Sequence, residues 1–494
     1  MSYLLALDQG TTSSRAIIFD EHGKVYASAQ RETQIKTPHS GWVEQDAMEI
    51  WTTQIGVVQQ AIASARLLAK DIKALGLTNQ RETTIVWDKR SGRPLAPAII
   101  WQDRRATDWC NQLIQNDYAA KIHKKTGLRI DPYFSAGKLV WLLENVDGLR
   151  ALAEQGHVAF GTVDSWLIWN LTQGSKHVIE ASNASRTMLM NLESQQWDSE
   201  LIELFNIPTS VLPKIIHSDS YIADTASGLL GAEIPICGVL GDQQSALFGQ
   251  SCFEAGTAKN TYGTGCFMLF NTGTQIQFSK NQLLTTLAWS CQNQAHYALE
   301  GSVFMAGAIV QWLRDGLGII ENSAEVESLA RQVTDTDGVV LVPAFTGLGA
   351  PHWDSDARAL LCGMSRGTNK SHIARAALES IAFQVSDVLT AMQSDISQPL
   401  KELRVDGGAS QNDMLMQFQA DILNVPVLRP KLLESTAWGA AAMAGLKVGI
   451  FNDLSEISAS WKLDKAFEPN MSDDQRQYHL TLWNEALQRT KSHA

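Results

Sequence analysis

A short apolar run, residues 4–7, ends in a carboxylate, Asp8. A glycine and four hydroxyl residues follow (Thr11, Thr12, Ser13, Ser14), then Arg15 and a second apolar run from Ala16 to Phe19. The pattern predicts strand, tight turn and strand, with Gly23 in the next turn. From Ala47 to about Ala69 the positions Ile50, Trp51, Ile55, Val58 and Ile62 follow helical spacing, which predicts a helix. Residues 72–80 predict a strand entering the polar turn Arg81-Glu82-Thr83-Thr84, with Ile85-Val86-Trp87 as its hairpin partner. Residues 98–101 predict another strand, and a helix starts at Lys138. The apolar stretch 236–240 predicts a strand that delivers Gly241-Asp242-Gln243-Gln244 to a helix start.

The second half repeats the opening pattern. Residues 259–267 place a polar, glycine-rich turn between two short strand-like stretches. Residues 297–301 predict a strand and turn, and 307–317 a helix. A long helix is expected over 372–392, with Ile373, Ala377, Ile381 and Val385 at broadly fourfold spacing, so it should pack on a sheet. A strand then enters Gly407-Gly408 and a helix over 413–423. Residues 434–441 predict a small-residue helix packed closely under the same site, and the chain after Ile450 predicts a helical region.

At 494 residues the chain is long enough for two or more domains, and 45% hydrophobic residues are enough for sizeable cores. The net charge of −12, without a long basic block, points away from nucleic acid. No apolar run is long enough to cross a bilayer, and Asp8 interrupts the opening run, so neither membrane insertion nor a signal peptide is expected. The six cysteines (110, 237, 252, 266, 291 and 362) form no close metal-ligand pair, and reduced thiols in a cytoplasmic setting are the simplest expectation.

Three places carry candidate chemistry. The turn after Asp8 can offer backbone N–H groups and hydroxyls to phosphate oxygens, and Asp8 can hold a magnesium ion through water. It is not a Walker loop, and as a pattern it is equally a polar hairpin. The Arg81-Glu82 pair offers donors and an acceptor that suit hydroxyl groups, or a surface ion pair. Asp242 stands at a helix start, where a carboxylate caps the helix, serves as a base, or does both.

The run Asp8-Gln9-Gly10-Thr11-Thr12-Ser13-Ser14-Arg15 resembles the first phosphate loop of the FGGY carbohydrate kinases, members of the actin, hexokinase and Hsp70 superfamily. The resemblance continues in order along nearly the whole chain. Tyr133 to Leu142 is similar to the first family signature, Gly241-Asp242-Gln243-Gln244 to the motif carrying the base, Lys259 to Phe267 to the second phosphate loop, and the stretch from Val342 to about Met392 to the second signature. Residues 402–412 resemble the adenosine loop. His352 follows a proline where the family more often has tyrosine, and is read as a tolerated change.

The resemblance implies an α/β chain of two ribonuclease H-like (actin-like ATPase) domains flanking a deep cleft, each with a mixed five-stranded sheet and helices. Residues 1–250 would bind the acceptor and carry the base, and 251–494 would mainly bind nucleotide. The implied reaction is ATP- and magnesium-dependent phosphorylation of glycerol to sn-glycerol 3-phosphate; a pentulose or longer polyol is the alternative acceptor. Asp242 is implied as the base, with Asp8 and Arg15 as further catalytic groups. Arg81, Glu82, Trp101, Tyr133, Asp242, Gln243 and Phe267 would bind glycerol in a narrow slot between Trp101 and Phe267. Thr11, Thr12, Ser13, Arg15, Thr264, Gly307, Gln311, Gly408 and Asn412 would contact the nucleotide. Asp8, and secondarily Asp242, would hold magnesium. A non-catalytic ATP-binding protein of the actin or Hsp70 type would need neither the polyol slot nor Asp242.

The family also implies a homodimer or homotetramer. Inhibition by fructose 1,6-bisphosphate is expected to be weak or absent, because Glu233 stands where the inhibitor site of relatives carries arginine, and a carboxylate repels phosphate. A zinc-linked transport-regulator partner is not expected, because Gln475 falls where that docking pattern has glutamate.

Overall fold

The computed structural model describes residues 2–354, 356–396 and 399–492. The opening pattern folds as expected: β1 (Tyr3–Gln9) and β2 (Ser13–Asp20) form an antiparallel hairpin, continued by β3 (Val25–Glu32). Helix α1 (Ala47–Ala65) follows, then β4 (Ile72–Asn79), β5 (Tyr221–Asp224) and β6 (Pro235–Gly241). The sheet order is β5-β6-β4-β1-β2-β3. Helix α2 (Asp242–Gly249) leads into the second half, whose strands begin with β7 (Ala258–Tyr262), β8 (Cys266–Gly273), β9 (Leu284–Cys291) and β10 (Gln294–Val303). Helices α3 (Gly307–Asp315) and α4 (Lys370–Asp395), strand β11 (Leu403–Asp406), helix α5 (Asp413–Leu423) and strand β12 (Val427–Pro430) come next. Helix α6 (Ser435–Lys447), strand β13 (Leu463–Phe467) and helix α7 (Asp473–Thr490) complete the chain. This second sheet runs β9-β10-β8-β7-β11-β12-β13.

Both sheets share a mixed five-stranded core with the same order and the same strand senses. It is β3-β2-β1-β4-β6 in the first and β10-β8-β7-β11-β12 in the second. The weak sequence echo between the two glycine turns therefore reflects equivalent positions in a duplicated architecture. Each sheet is wider than the expected five strands, because antiparallel edge strands are added: β5 on β6, β9 on β10 and β13 on β12. Strand β13 lies within the region after Ile450 that the pattern predicts as helical. Its residues are exposed apart from Phe467, so no amphipathic signal marks it.

Other expectations needed correction. Ile85–Asp88 is not the hairpin partner of β4 but pairs with Val158–Gly161. Strand β4 already has β1 on one edge and β6 on the other, so no edge remains for a hairpin. The predicted strand at 98–101 is only Ala98–Ile99. Helix α1 stops at Ala65, because Arg66 adopts the left-handed conformation at φ 55° and closes the end. Gly301 is no turn but lies inside β10, where a Cβ would collide with Val388 of α4.

Helix α6 belongs to the second half of the chain but packs on the first sheet and on α2. Glycines on each partner remove the atoms that would block it. A Cβ on Gly76 of β4 would lie 2.9 Å from Ala441 N, and one on Gly238 of β6 would lie 2.8 Å from Ala444 Cα. Gly249 of α2 and Gly439 of α6 likewise let those two helices touch backbone to backbone. The small residues of α6 thus seat it directly beneath the strand ends that carry the candidate site.

Candidate active site

The parallel registers of the first sheet align three strand ends. Gln9 of β1 lies opposite Asn79 of β4, and Gly241 of β6 lies opposite the same residue. The turn after Gln9, the turn 80–84 and Asp242 therefore emerge side by side, where open α/β sheets commonly place ligands. In the second sheet Thr261 of β7 is opposite Asp406 of β11, so the turn 263–265 and Gly407-Gly408 also share one sheet end.

The first turn is closed by the Gly10 amide donating to Ser13 O at 2.9 Å. Its Thr11 carbonyl accepts from Gln45 Nε2 at 2.7 Å, and the Thr11 hydroxyl accepts from the Trp101 indole at 2.9 Å. The turn and an acceptor-side aromatic ring are thus tied together. Thr12 is exposed and Ser13 partly so, leaving hydroxyls facing outward. Asp8 and Arg15 are cross-strand neighbours, with 3.7 Å between their charged groups, and the other arm of Arg15 pairs with Glu434. Burial lifts the Asp8 carboxyl to about 6 against the pull of Arg15, with Glu434 and Asp242 adding to the rise.

The turn 80–84 is almost fully buried. Glu82 sits at φ 59°, an uncommon conformation for a residue with a side chain, and its carbonyl accepts from Ser135 Oγ at 2.9 Å. Arg81 Nε lies 3.3 Å from Asp242 Oδ1. The two terminal nitrogens of Arg81 are committed elsewhere: they donate to the two carboxylate oxygens of Glu300 at 2.6 and 2.8 Å, and one also donates to Gln244 at 3.1 Å. Arg186 Nε donates to Glu82 at 2.7 Å and its Nη2 to Glu300 at 3.0 Å. The terminal nitrogens of Arg81 thus serve this buried network, while its Nε faces Asp242.

Asp242 is the first residue of α2, and 28% of its side chain is exposed, enough to be reached from the cleft. Its Oδ1 accepts from the Gln243 amide at 2.7 Å. Burial raises its proton affinity above the ordinary aspartate value, although Arg81 and Lys259 oppose this. Lys259 of β7 is buried and donates to Gln243 Oε1 at 2.5 Å, Thr261 Oγ1 at 2.8 Å and Phe267 O at 3.2 Å. Burial brings its ammonium down to about 8.

Trp101 meets Phe267 edge to face, with centroids 6.4 Å apart at 82°, and Tyr133 at 5.8 Å and 86°. The three rings make an apolar corner, with the Trp101 indole held by Thr11. The backbone around Tyr133 is tied down by Lys138, whose ammonium donates to the carbonyls of Pro132 at 2.9 Å, Tyr133 at 2.5 Å and Phe134 at 3.2 Å.

On the second sheet, Thr264 is exposed and its carbonyl accepts from the amides of Ala306 and Ala308. Gly307 donates to Gly263 O at 2.9 Å, and a Cβ there would lie 2.7 Å from that oxygen. Its missing side chain therefore serves the packing of α3 on the turn. Gln311 is exposed on α3. Gly407 has φ 85°, whereas a Cβ on Gly408 would meet no atom within 4 Å, so open space begins there. Asn412 caps α5, its side-chain oxygen accepting from the Leu415 amide at 2.9 Å.

Glu300, Arg186, Lys259 and Glu434 have no part in the sequence-derived site. Glu300 could have been flagged as a lone carboxylate inside the apolar run 297–301. Nothing local marks Arg186, and Lys259 stands out only as the start of the stretch 259–267.

Comparison with known proteins agrees with this architecture. The model of the FGGY carbohydrate kinase N-terminal domain matches residues 3–249, and that of the C-terminal domain matches residues 258–448. A glycerol kinase of Acinetobacter baylyi is 78% identical over 492 residues, covering 100% of this chain and 99% of the relative. One of Deinococcus radiodurans is 55% identical over 489 residues, covering 99% and 97%. The crystal structure of Plasmodium falciparum glycerol kinase with ADP superposes with a TM-score of 0.93 at 38% identity, covering 99% of this chain and 98% of that one. With both domain models matched in order across most of its length, the chain belongs to the FGGY family of carbohydrate kinases.

Proposed function

We propose that the protein transfers the γ-phosphoryl group of ATP to a terminal hydroxyl of glycerol, giving sn-glycerol 3-phosphate and ADP. The observation that carries this reading is the partly exposed Asp242 carboxylate beside Arg81 at 3.3 Å, next to an apolar corner of Trp101, Tyr133 and Phe267. The polyol carbons lie in the corner, and its hydroxyls meet Arg81, Glu82, Tyr133, Asp242 and Gln243. The attacking hydroxyl oxygen bonds to the γ-phosphorus as the bond to the ADP oxygen breaks, and Asp242 takes the hydroxyl proton. Its raised proton affinity suits that task.

Thr11, Thr12, Ser13 and Thr264 line the phosphate path, with Arg15 held at its edge by Asp8 and Glu434. Gln311, Gly408 and Asn412 border the adenosine side, and the division between acceptor and nucleotide halves falls near Gln250. Among the described residues no group of three or more His, Cys, Asp or Glu side chains could hold a metal. The single Asp8 carboxylate fits an ion held chiefly by phosphate oxygens and water. Magnesium bound there would neutralise charge on the transferred group.

The test is an ADP-release assay with glycerol, xylulose, ribulose and erythritol as acceptors. Glycerol is expected to give the highest kcat/KM. A higher value with a pentulose or erythritol would overturn the acceptor assignment, and no acceptor-dependent release would overturn the reaction.

For regulation, we propose a homodimer or homotetramer with weak or no inhibition by fructose 1,6-bisphosphate. Glu233 is exposed two residues beyond Gly231, just before β6, and accepts from Ser227 Oγ at 3.0 Å, so a carboxylate faces that surface. Titrating activity with the bisphosphate at low and high protein concentration is expected to give a flat response. Strong saturable inhibition would overturn the Glu233 argument. Gln475 is occupied in the capping box of α7, where it accepts from the Ser472 amide at 3.2 Å; this supports the absence of a zinc-linked partner at that position.

A further inference from the structure

We propose that Glu300 is a positioning residue for the acceptor site: contributed by the second sheet, it aims Arg81 and Arg186 and takes up the two terminal nitrogens of Arg81, so that only Nε faces the base. The inference rests on the phosphoryl-transfer reading above and concerns groups that lie behind the acceptor-facing residues.

Glu300 is fully buried on β10, in the second half of the chain, while Arg81 and Arg186 belong to the first. Its two oxygens clamp Arg81 in a bidentate pair at 2.6 and 2.8 Å, and one also accepts from Arg186 at 3.0 Å. The planar fork of a guanidinium makes such a pair directional, so the clamp sets the orientation of Arg81 as well as its charge. The remaining Nε of Arg81 then faces Asp242 at 3.3 Å and Glu82 at 3.8 Å. Arg186 repeats the arrangement one step back: gripped by Glu300, it donates to Glu82. Its unpaired Nη1 has no hydrogen-bond partner, and its guanidinium lies over the rings of Tyr133 at 5.6 Å and Phe134 at 5.4 Å. Through these contacts one carboxylate on the second sheet orders Arg81, Glu82 and Tyr133 together.

Charge balance gives the same result. Arg81, Arg186, Glu82 and Glu300 sum to zero in a buried space, and both arginines hold the Glu300 carboxyl down at about 2 in spite of burial. Without Glu300, Arg81 loses its bidentate partner, and the nearest carboxylates left to it are Asp242 and Glu82. A guanidinium turned onto Asp242 would add its terminal nitrogens to the Nε already 3.3 Å from Oδ1 and crowd the oxygens that receive the proton. The backbone supports the placement, because Gly301, the next residue, packs against Val388 of α4 and fixes β10 at this level.

The test compares Glu300→Gln and Glu300→Asp with the unaltered chain, using the acceptor that the unaltered chain turns over best. Steady-state kinetics are measured for acceptor and ATP separately, with ADP affinity by calorimetry as a measure of folded protein. For Glu300→Gln, kcat/KM for the acceptor is expected to fall about a hundredfold, the scale of a small misplacement of reacting groups, with ADP affinity retained. Glu300→Asp keeps the charge but withdraws the clamp by one methylene; it is expected to lose more than about tenfold on the acceptor side, with KM for ATP little changed. If Glu300→Asp behaves like the unaltered chain, charge alone suffices and the positioning role is overturned. Equal losses for acceptor and nucleotide would make the cluster merely structural and also overturn it. If the best acceptor is not glycerol, the substrate assignment fails while the Glu300 comparison still stands or falls on its own numbers.

Discussion

Asp242→Asn is expected to lower kcat about a thousandfold, within the usual range for removing a positioned general base, while ADP affinity changes by less than about twofold. The amide has nearly the same shape, and its oxygen can still accept from the Gln243 amide, so the start of α2 stays in place. What is lost is the negative charge facing Arg81 and Lys259 and the capacity to take a proton. The turns 10–13 and 263–265, proposed to meet the nucleotide, lie on other strand ends and keep their own hydrogen bonds. Initial rates of ADP release and calorimetric titration with ADP separate the two effects. A rate within about tenfold of the unaltered chain would rule out proton transfer to Asp242. The same assignment sets the acid limb of the pH profile. As the proposed base Asp242 must be ionised, and its proton affinity is raised, so activity should fall with decreasing pH at a value above the ordinary aspartate range. A limb at or below that range would contradict the burial of the base.

Gly439→Ala is expected to destabilise the fold by about 3 kcal/mol, the upper part of the usual range for overpacking, and to reduce activity with it. A Cβ there would lie 2.7 Å from the carbonyl carbon of Ser245 and closer still to its oxygen. Both atoms are backbone of α2, the helix that begins with Asp242, so neither can rotate out of the way. The reciprocal contact leaves no slack, since a Cβ on Gly249 would lie 2.9 Å from Gly439 N. The sign is informative. At an open helical position, glycine to alanine stabilises by about 0.4–1 kcal/mol. Urea unfolding of the substituted chain decides between the two, and an unchanged or higher midpoint would mean that α6 and α2 do not touch at this point.

Local chemistry was legible where a few adjacent residues suffice. Strand, glycine turn and strand can be read at 4–19 and again at 258–273 because apolar runs and turn residues act over a handful of positions. The strand before Asp242 and the helix after it can be read in the same way. The family resemblance gathered these pieces into two domains and named Trp101, Tyr133 and Phe267, whereas the edge-to-face angles of the rings and the Trp101–Thr11 bond appear only in the structure.

The tertiary structure alone decided the pairings between distant segments. Ile85–Asp88 looks like a hairpin partner until both edges of β4 are seen to be taken, which depends on strands 1 and 6 of the first sheet. The clamp on Arg81 lies 219 residues away in Glu300, and Arg15 meets Glu434 only because α6 crosses back to the first sheet. Hydrophobic periodicity tells which face of an element is buried, not which charged group in another element it will meet. That choice follows from how the two sheets and the crossing helix pack, and from the requirement that every buried charge find a partner there.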